Sequence, residues 1–394
     1  MPIYLDHAAT TPLRREVLDA MLPFLTESFG NPSSAHGYGR AARAGLDWAH
    51  ERVAARLGAE PREIVFTSGG TEANNLAIKG AAWAGKGRGH RIVTSSVEHH
   101  AVGHTLRYLE KFGFEVVELP VDRYGRVDPD QLEAALTDRT ILVSIMLANN
   151  EVGTIQPIEE IAARVHGRKG ILLHVDAVQA APYVELDVER LGADLVSIGA
   201  HKFEGPKGVG ALVVRHGTHI LAQQHGGTQE RHRRAGTENV AGAVGLAAAY
   251  DLTCDERPTT VARLAAARDR LTKTILAIDG TETTGHPTDR LPGLLSIIAH
   301  GTDGSAVSLS LDLEGIAASV GSACTTGSTE VSHVLTAMGY PEDEARGALR
   351  LSLGRTTTDD EIDTACAVVP RVIASMRTGS VSIAADPLGQ GVPA

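Results

Sequence analysis

Thr140-Ile-Leu-Val-Ser-Ile-Met146 is apolar along almost its whole length, so it reads as a strand with no wet face. Similar short runs recur at Glu63–Thr67, Arg91–Ser95, Phe114–Leu119, Gly170–Val175 and Asp194–Ile198, and again up to Val214. Helical patterns separate them: Arg14–Leu25 and Gly39–Leu57 before the first strand, then Leu76 onward, Ala101–Phe112, Asp128–Leu136 and Pro157–Val165. Alternation of this kind predicts an α/β fold, a mostly parallel sheet with helices on both faces. Polar residues at successive strand outlets then converge on one edge, where such sheets bind ligands.

The outlets carry the informative residues. After Thr67 comes Ser68-Gly69-Gly70-Thr71-Glu72. A Gly-rich turn between strand and helix offers free N–H groups and the positive end of a dipole to a phosphate, and Thr71 adds a hydroxyl. The same residues also suit a plain tight turn. Glu98-His99-His100 follows the next strand, with His104 on the helix beyond. No ligand set for zinc is completed at usable spacing, so no metal is expected. His99 reads either as a ring to stack on a planar cofactor or as a satisfied surface histidine. Asn149-Asn150-Glu151-Val-Gly153 closes the Thr140 strand. Asp176, with Gln179 behind it, ends Gly170–Val175. A carboxylate there needs a helix to cap or a cation to meet, and a protonated pyridine nitrogen is such a cation. His201-Lys202, hemmed by small residues and a Gly/Pro turn, leaves Asp194–Ile198. A lysine amine held out of bulk water loses its proton more easily and condenses with carbonyls. Lys202 therefore reads as a Schiff-base lysine for pyridoxal phosphate, against the plain alternative of an exposed rim residue.

After Val214, the stretch His225–Thr237 is glycine-rich and basic, although the formal net charge is -11. It suits a phosphate, a second subunit, or solvent. An Ala-rich helix, Val240–Leu252, precedes a change of character near Asp255-Glu-Arg-Pro258. A second helix, Val261–Ile278, then opens a smaller α+β region. There Ala317–Ser328 is nearly all small residues around Cys324, a setting for a structural cysteine or for an accessible thiol. Cys254 and Cys366 sit in blander contexts, and three cysteines are too few for a disulfide framework. Arg350 alternates with leucines in Leu349–Leu353; if its face lines the cleft it can grip a carboxylate, and otherwise it is solvated. The acidic balance argues against nucleic acid and anionic membranes, and no apolar run reaches spanning length. A cytoplasmic chain is expected.

These motifs together resemble the cysteine desulfurases, pyridoxal-phosphate enzymes of fold type I within the class V aminotransferases. The match carries Tyr4-Leu-Asp-His-Ala-Ala-Thr-Thr-Pro, Phe66-Thr-Ser-Gly-Gly-Thr-Glu-Ala-Asn, Glu98-His99, Asn149-Asn-Glu-Val-Gly, His174-Val-Asp-Ala-Val-Gln, Ala200-His-Lys, Arg234-Ala-Gly-Thr and Gly321-Ser-Ala-Cys, in family order. The resemblance implies a seven-stranded, mostly parallel sheet in a large domain, residues 17–256. Residues 1–16 and 257–378 would form the small domain with the cysteine loop, and 379–394 a flexible tail. It implies that Lys202 holds the cofactor aldehyde, Asp176 meets the ring nitrogen, Gln179 bonds the phenolic oxygen and His99 stacks on the ring. Gly70, Thr71 and His201 would hold the phosphate, with Thr237 reaching in from the other subunit of a homodimer. Asn150 and Arg350 would grip the carboxylate of L-cysteine, and Cys324 would take its sulfur as a persulfide for an acceptor protein, a cluster scaffold or a tRNA-thiolation enzyme. A selenocysteine lyase or another lyase on the same scaffold is the alternative, and a non-catalytic sulfur carrier is the alternative of another class. One departure is Gly199, where many relatives carry a phosphate-binding serine. By strand alternation Ser197 faces the same side.

Overall fold

The computed structural model describes residues 2–321 and 331–378. Cys324 and the tail 379–394 lie outside the described residues. In chain order, β1 (Ile3–Tyr4), α1 (Arg15–Thr26) and α2 (Gly37–Leu57) precede the main sheet. Its strands and helices alternate: β2 (Ile64–Thr67), α3 (Gly70–Gly85), β3 (Arg91–Ser95), α4 (His100–Glu110), β4 (Glu115–Leu119), α5 (Pro129–Ala135), β5 (Thr140–Met146), α6 (Ile158–His166), β6 (Leu172–Asp176), β7 (Leu195–Gly199) and β8 (Gly210–Val214). The spatial order is β2-β8-β7-β6-β5-β3-β4. Every neighbouring pair is parallel except those of β8, which runs antiparallel to both β2 and β7. This is the mostly parallel seven-stranded sheet expected from the apolar runs.

Alternate residues of each strand enter different cores, which is why the strands are apolar throughout. Phe66, Val93, Val143 and Val213 pack with α2, α6 and the first half of α7 (Val240–Ile275) on one face. Val65, Ile92, Leu142 and Leu212 pack with α3 and α4 on the other. A sheet covered on both sides leaves only its strand ends for chemistry.

The rest of the chain is α7 (Val240–Ile275), β9 (Thr281–Thr283), β10 (Leu294–Ala299), α8 (Gly304–Leu313), β11 (Ile316–Ala317), α9 (His333–Ala337), α10 (Glu342–Ala345), β12 (Ala348–Ser352) and α11 (Asp359–Thr378). β12-β10-β9 form an antiparallel sheet, and β1 returns to pair with β11. Leu295, Ile297, Leu349 and Leu351 make a second core with α7 and α11. Where the sequence suggested two helices broken near Pro258, α7 is one helix of 36 residues. Its first half lies in the large core and its second half in the small one. Proline forfeits one helical hydrogen bond, but the turn around it is pinned from outside. Arg56 pairs with Asp255 at 2.7 Å, Arg14 with Glu256 at 2.6 Å, and Arg257 Nη2 donates to the Ala181 carbonyl at 3.2 Å. No helix among the described residues is long and apolar enough to cross a membrane.

Candidate active site

The carboxyl ends of β2, β3, β5, β6 and β7 open into one cleft of about 620 Å³, a size suited to a small cofactor. Gly70, Thr71, His99, Asn150, Asp176, Gln179, His201, Lys202 and Arg350 all line it. Thr237 does not; it is exposed on the surface of the single chain. Cys324 lies outside the described residues; Gly321 lines the cleft.

At the β2 outlet, α3 begins at Gly70 rather than Leu76, so Thr71 lies in its first turn. Gly69 has φ 148°, a conformation that side chains disfavour. The early start points the free N–H groups of a 16-residue helix into the cleft. Glu72 closes the turn by accepting from the Ser68 N–H at 2.7 Å and pairing with Arg234 at 2.9 Å.

Beside it, Asp176 is buried. Its Oδ1 accepts from the Val178 N–H at 3.0 Å and its Oδ2 from Asn74 Nδ2 at 2.6 Å. Both readings of this residue meet here, since it caps its own turn and still faces the cleft. Burial pushes its carboxyl above the usual range, opposed by those two donors and by the charge of Lys202. A further cation in the cleft would hold it ionised. Gln179 is buried too, and its Oε1 has no hydrogen-bond partner among the described residues. Asn74, on α3, was not singled out from sequence. Its spacing from Asp176 carries no local signal.

His99 caps α4, its Nδ1 accepting from the Ala101 N–H at 3.0 Å. That bond fixes the ring and puts the proton on Nε2. Burial, then the charge of Lys202 and of neighbouring histidines, lowers its pKa to about 4, so it is a neutral planar ring at pH 7. Before it, Glu98 is buried, with Oε1 accepting from Ser95 Oγ at 2.6 Å and the Met146 N–H at 2.9 Å. Burial pushes this carboxyl up to about 8.

The lysine turn is held by the amino-terminal segment. Lys202 Nζ donates to the carbonyls of Ala8 and Ala9 at 2.5 and 2.9 Å. His201 Nδ1 meets Thr10 Oγ1 at 3.1 Å, and Thr11 bonds the His201 carbonyl through both its N–H and its hydroxyl. Burial and the charges of Lys202 and Lys207 lower the His201 pKa to about 4.

Arg350 resolves in favour of the cleft. It is 2 % exposed. Nη1 donates to the carbonyls of Asn150 and Gly321 at 2.9 and 3.2 Å, and Nη2 pairs with Asp6 at 2.9 Å. Nε has no partner among the described residues. Of its five N–H bonds, Nε–H and one on Nη2 are thus uncommitted among the described residues, and a carboxylate takes two.

Ser197 does not make up for Gly199. Its hydroxyl is buried and bonded to His174 Nε2 at 3.0 Å, while His174 Nδ1 meets Ser144 Oγ at 2.8 Å. A side chain at 199 would instead start 3.5 Å from the Gly70 nitrogen, beside the α3 turn.

The sequence pattern of the Aminotransferase class-V family matches residues 3–364. The chain is 50% identical over 378 residues to cysteine desulfurase IscS of Methanosarcina thermophila, covering 96% of this chain and 93% of that protein. It is 48% identical over 377 residues to the protein of the same name from Dictyoglomus turgidum, covering 95% of each. Among solved structures, a NifS-like protein superposes with a TM-score of 0.90 at 39% identity, over 95% of this chain and all of the other. A structure titled SspA in complex with cysteine does so with a TM-score of 0.79 at 35% identity, over 89% and 98%. With identity and coverage at this level, and a cleft at the strand ends of a doubly covered sheet, the chain belongs to the class V aminotransferase family, as a cysteine desulfurase.

Proposed function

We propose that this cysteine desulfurase works with pyridoxal 5'-phosphate in the 620 Å³ cleft and takes sulfur from L-cysteine onto Cys324. The carrying observation is that one cleft gathers an anion-ready helix start, a doubly donated buried carboxylate, a neutral ring and a strapped lysine. That donor set fits the cofactor. Gly70, Thr71 and His201 would hold its phosphate, Asp176 its ring nitrogen, Gln179 its phenolic oxygen, His99 the face of the ring, and Lys202 its aldehyde. Bound there, the cofactor supplies an electron sink for the bonds at the substrate's Cα.

The chain's own residues do the rest. Arg350 and Asn150 fix the substrate carboxylate, which orients the amine toward Lys202. Lys202, once its amine is free, removes the Cα proton. The Cys324 thiolate bonds the substrate sulfur as the Cβ–S bond breaks; that electron pair stays with the carbon skeleton, which is reprotonated and leaves as L-alanine. The persulfide then passes to an acceptor protein of iron–sulfur assembly or tRNA thiolation. The IscS names of the relatives and the cysteine-bound SspA support this reading. A homodimer is part of it, supported by exposed Leu22, Leu25, Phe29 and Tyr38 on the α1–α2 side.

Incubation with L-cysteine should release alanine and leave a persulfide on Cys324, read by alkylation and mass spectrometry. Cys324→Ser should keep the near-visible absorption of the bound cofactor and form neither product. Lys202→Ala should lose both that absorption and turnover. Normal turnover by Lys202→Ala would overturn the assignment, and alanine from selenocysteine alone would favour the lyase reading.

A further inference from the structure

Two residues past Lys202, Glu204 stands at φ 60°. That region is costly for a side chain and free for glycine. Its backbone is fixed on both sides. The Glu204 N–H donates to Thr11 Oγ1 at 2.8 Å, and its carbonyl accepts from the Arg14 N–H at 3.0 Å. Its carboxylate is buried. Oε2 accepts from Arg355 Nε at 2.6 Å, and Oε1 has no partner among the described residues.

Arg355 lies just past β12, the strand that carries Arg350 into the cleft. It is held from behind as well. Its carbonyl accepts from Arg263 Nη2 of α7 at 2.6 Å, and its Nε lies 3.8 Å from Glu256 Oε2. A small cavity of about 40 Å³ sits between Lys202, Glu204 and Arg355. Lys202 lines both this cavity and the main cleft.

We propose that Glu204 is a positioning residue, whose ion pair with Arg355 fixes the lysine turn against the strand that bears Arg350. The proposal rests on the functional reading above, in which Lys202 removes the Cα proton of the substrate molecule whose carboxylate Arg350 holds. Their separation must match that molecule. The lysine turn hangs from the large sheet and Arg350 from the small one. The Glu204–Arg355 pair joins the two within two residues of Lys202 and five of Arg350. Without it, β12 loses a tie to the lysine turn. Backbone strain kept next to a reacting group, and over-determined by its surroundings, is what such a device looks like.

The test uses the full-length, cofactor-loaded enzyme. Glu204→Gln keeps the strain and shape and loses the charge. Glu204→Gly loses the charge but relieves the strain, so it separates positioning from plain stability. Both should raise the KM for L-cysteine about threefold or more, within the range that coupled neighbours show. The change in kcat should be smaller. Arg355→Gln should do the same, and the double variant Glu204→Gln/Arg355→Gln should add little to either single one. In the cofactor-free chain, urea unfolding of wild type, Glu204→Gln, Arg355→Gln and the double variant should show the two positions to be coupled. An unchanged KM in Glu204→Gly, additive effects, or zero coupling in the unfolding cycle would each overturn the proposal. A wild-type chain that makes no alanine from cysteine would instead sink the functional reading, and the unfolding cycle would still judge the pair.

Discussion

His174 shows what a buried titratable group does when it is not asked to react. It is fully buried at the centre of the sheet, between Ser144 of β5 and Ser197 of β7. Burial lowers its pKa to about 3, so it stays neutral in the folded chain. In the unfolded chain it titrates at its ordinary value of 6.5. The folded pKa is the lower one, so its stabilising contribution is whole above pH 6.5 and drains away as pH falls toward 3. In that window one group changes stability by up to about 1.4 kcal/mol per pH unit. His174→Gln cannot titrate. The stability lead of wild type over His174→Gln should therefore shrink between pH 6.5 and pH 4.5, measured by urea unfolding of the cofactor-free chain. A constant gap would mean that the imidazole is protonated in the fold.

At the scale of the element, the meeting of β7, β8 and the α3 turn leaves no room for a side chain. A Cβ on Gly210 would lie 2.6 Å from the Gly69 carbonyl carbon and 2.7 Å from the Ile198 carbonyl oxygen. Both are backbone, so neither can turn aside. Gly210→Ala should destabilise the chain by about 1–3 kcal/mol, as overpacking does. It should also loosen the cofactor, because the displaced atom belongs to the turn that starts α3. Equilibrium unfolding and cofactor-release rates check both, and a variant unchanged in each would mean that the turn has slack. This junction also marks how far sequence reasoning reaches. Apolar runs and their spacing foretell the sheet, and the polar residues at strand outlets foretell Asp176, His99 and Lys202, because both signals are local. Continuity of α7 through Pro258 was not foreseeable, since the contacts that hold it come from Arg14, Arg56 and Ala181. Asn74 under Asp176 and Asp6 beside Arg350 were missed for the same reason: each pair joins distant parts of the chain. Alternation put Ser197 on the side of Gly199, but could not tell that His174 claims its hydroxyl.

For the whole molecule, the question is whether one chain suffices. The Arg234-Ala-Gly-Thr237 stretch leaves the cleft of its own chain, with Thr237 exposed. The turn before it is built stiffly. Glu230, Arg231 and His232 have φ of 44°, 56° and 66°, and Glu230 is buried against His50 Nε2 at 3.0 Å. Five residues further on, the chain presents Thr237 at its surface. In a homodimer that place would be the phosphate end of the partner's cleft. Thr237→Ala should then release cofactor faster than wild type. Each complete site would then take Lys202 from one chain and Thr237 from the other. Chains of Thr237→Ala reassembled with chains of Lys202→Ala should therefore regain slow release, and turnover, at one site in each mixed dimer. If the threonine served its own chain, the mixture would behave as the sum of its parts, because no site would recover both residues. Sedimentation of the mixture shows whether mixed dimers formed, so a failed exchange is not mistaken for a negative answer.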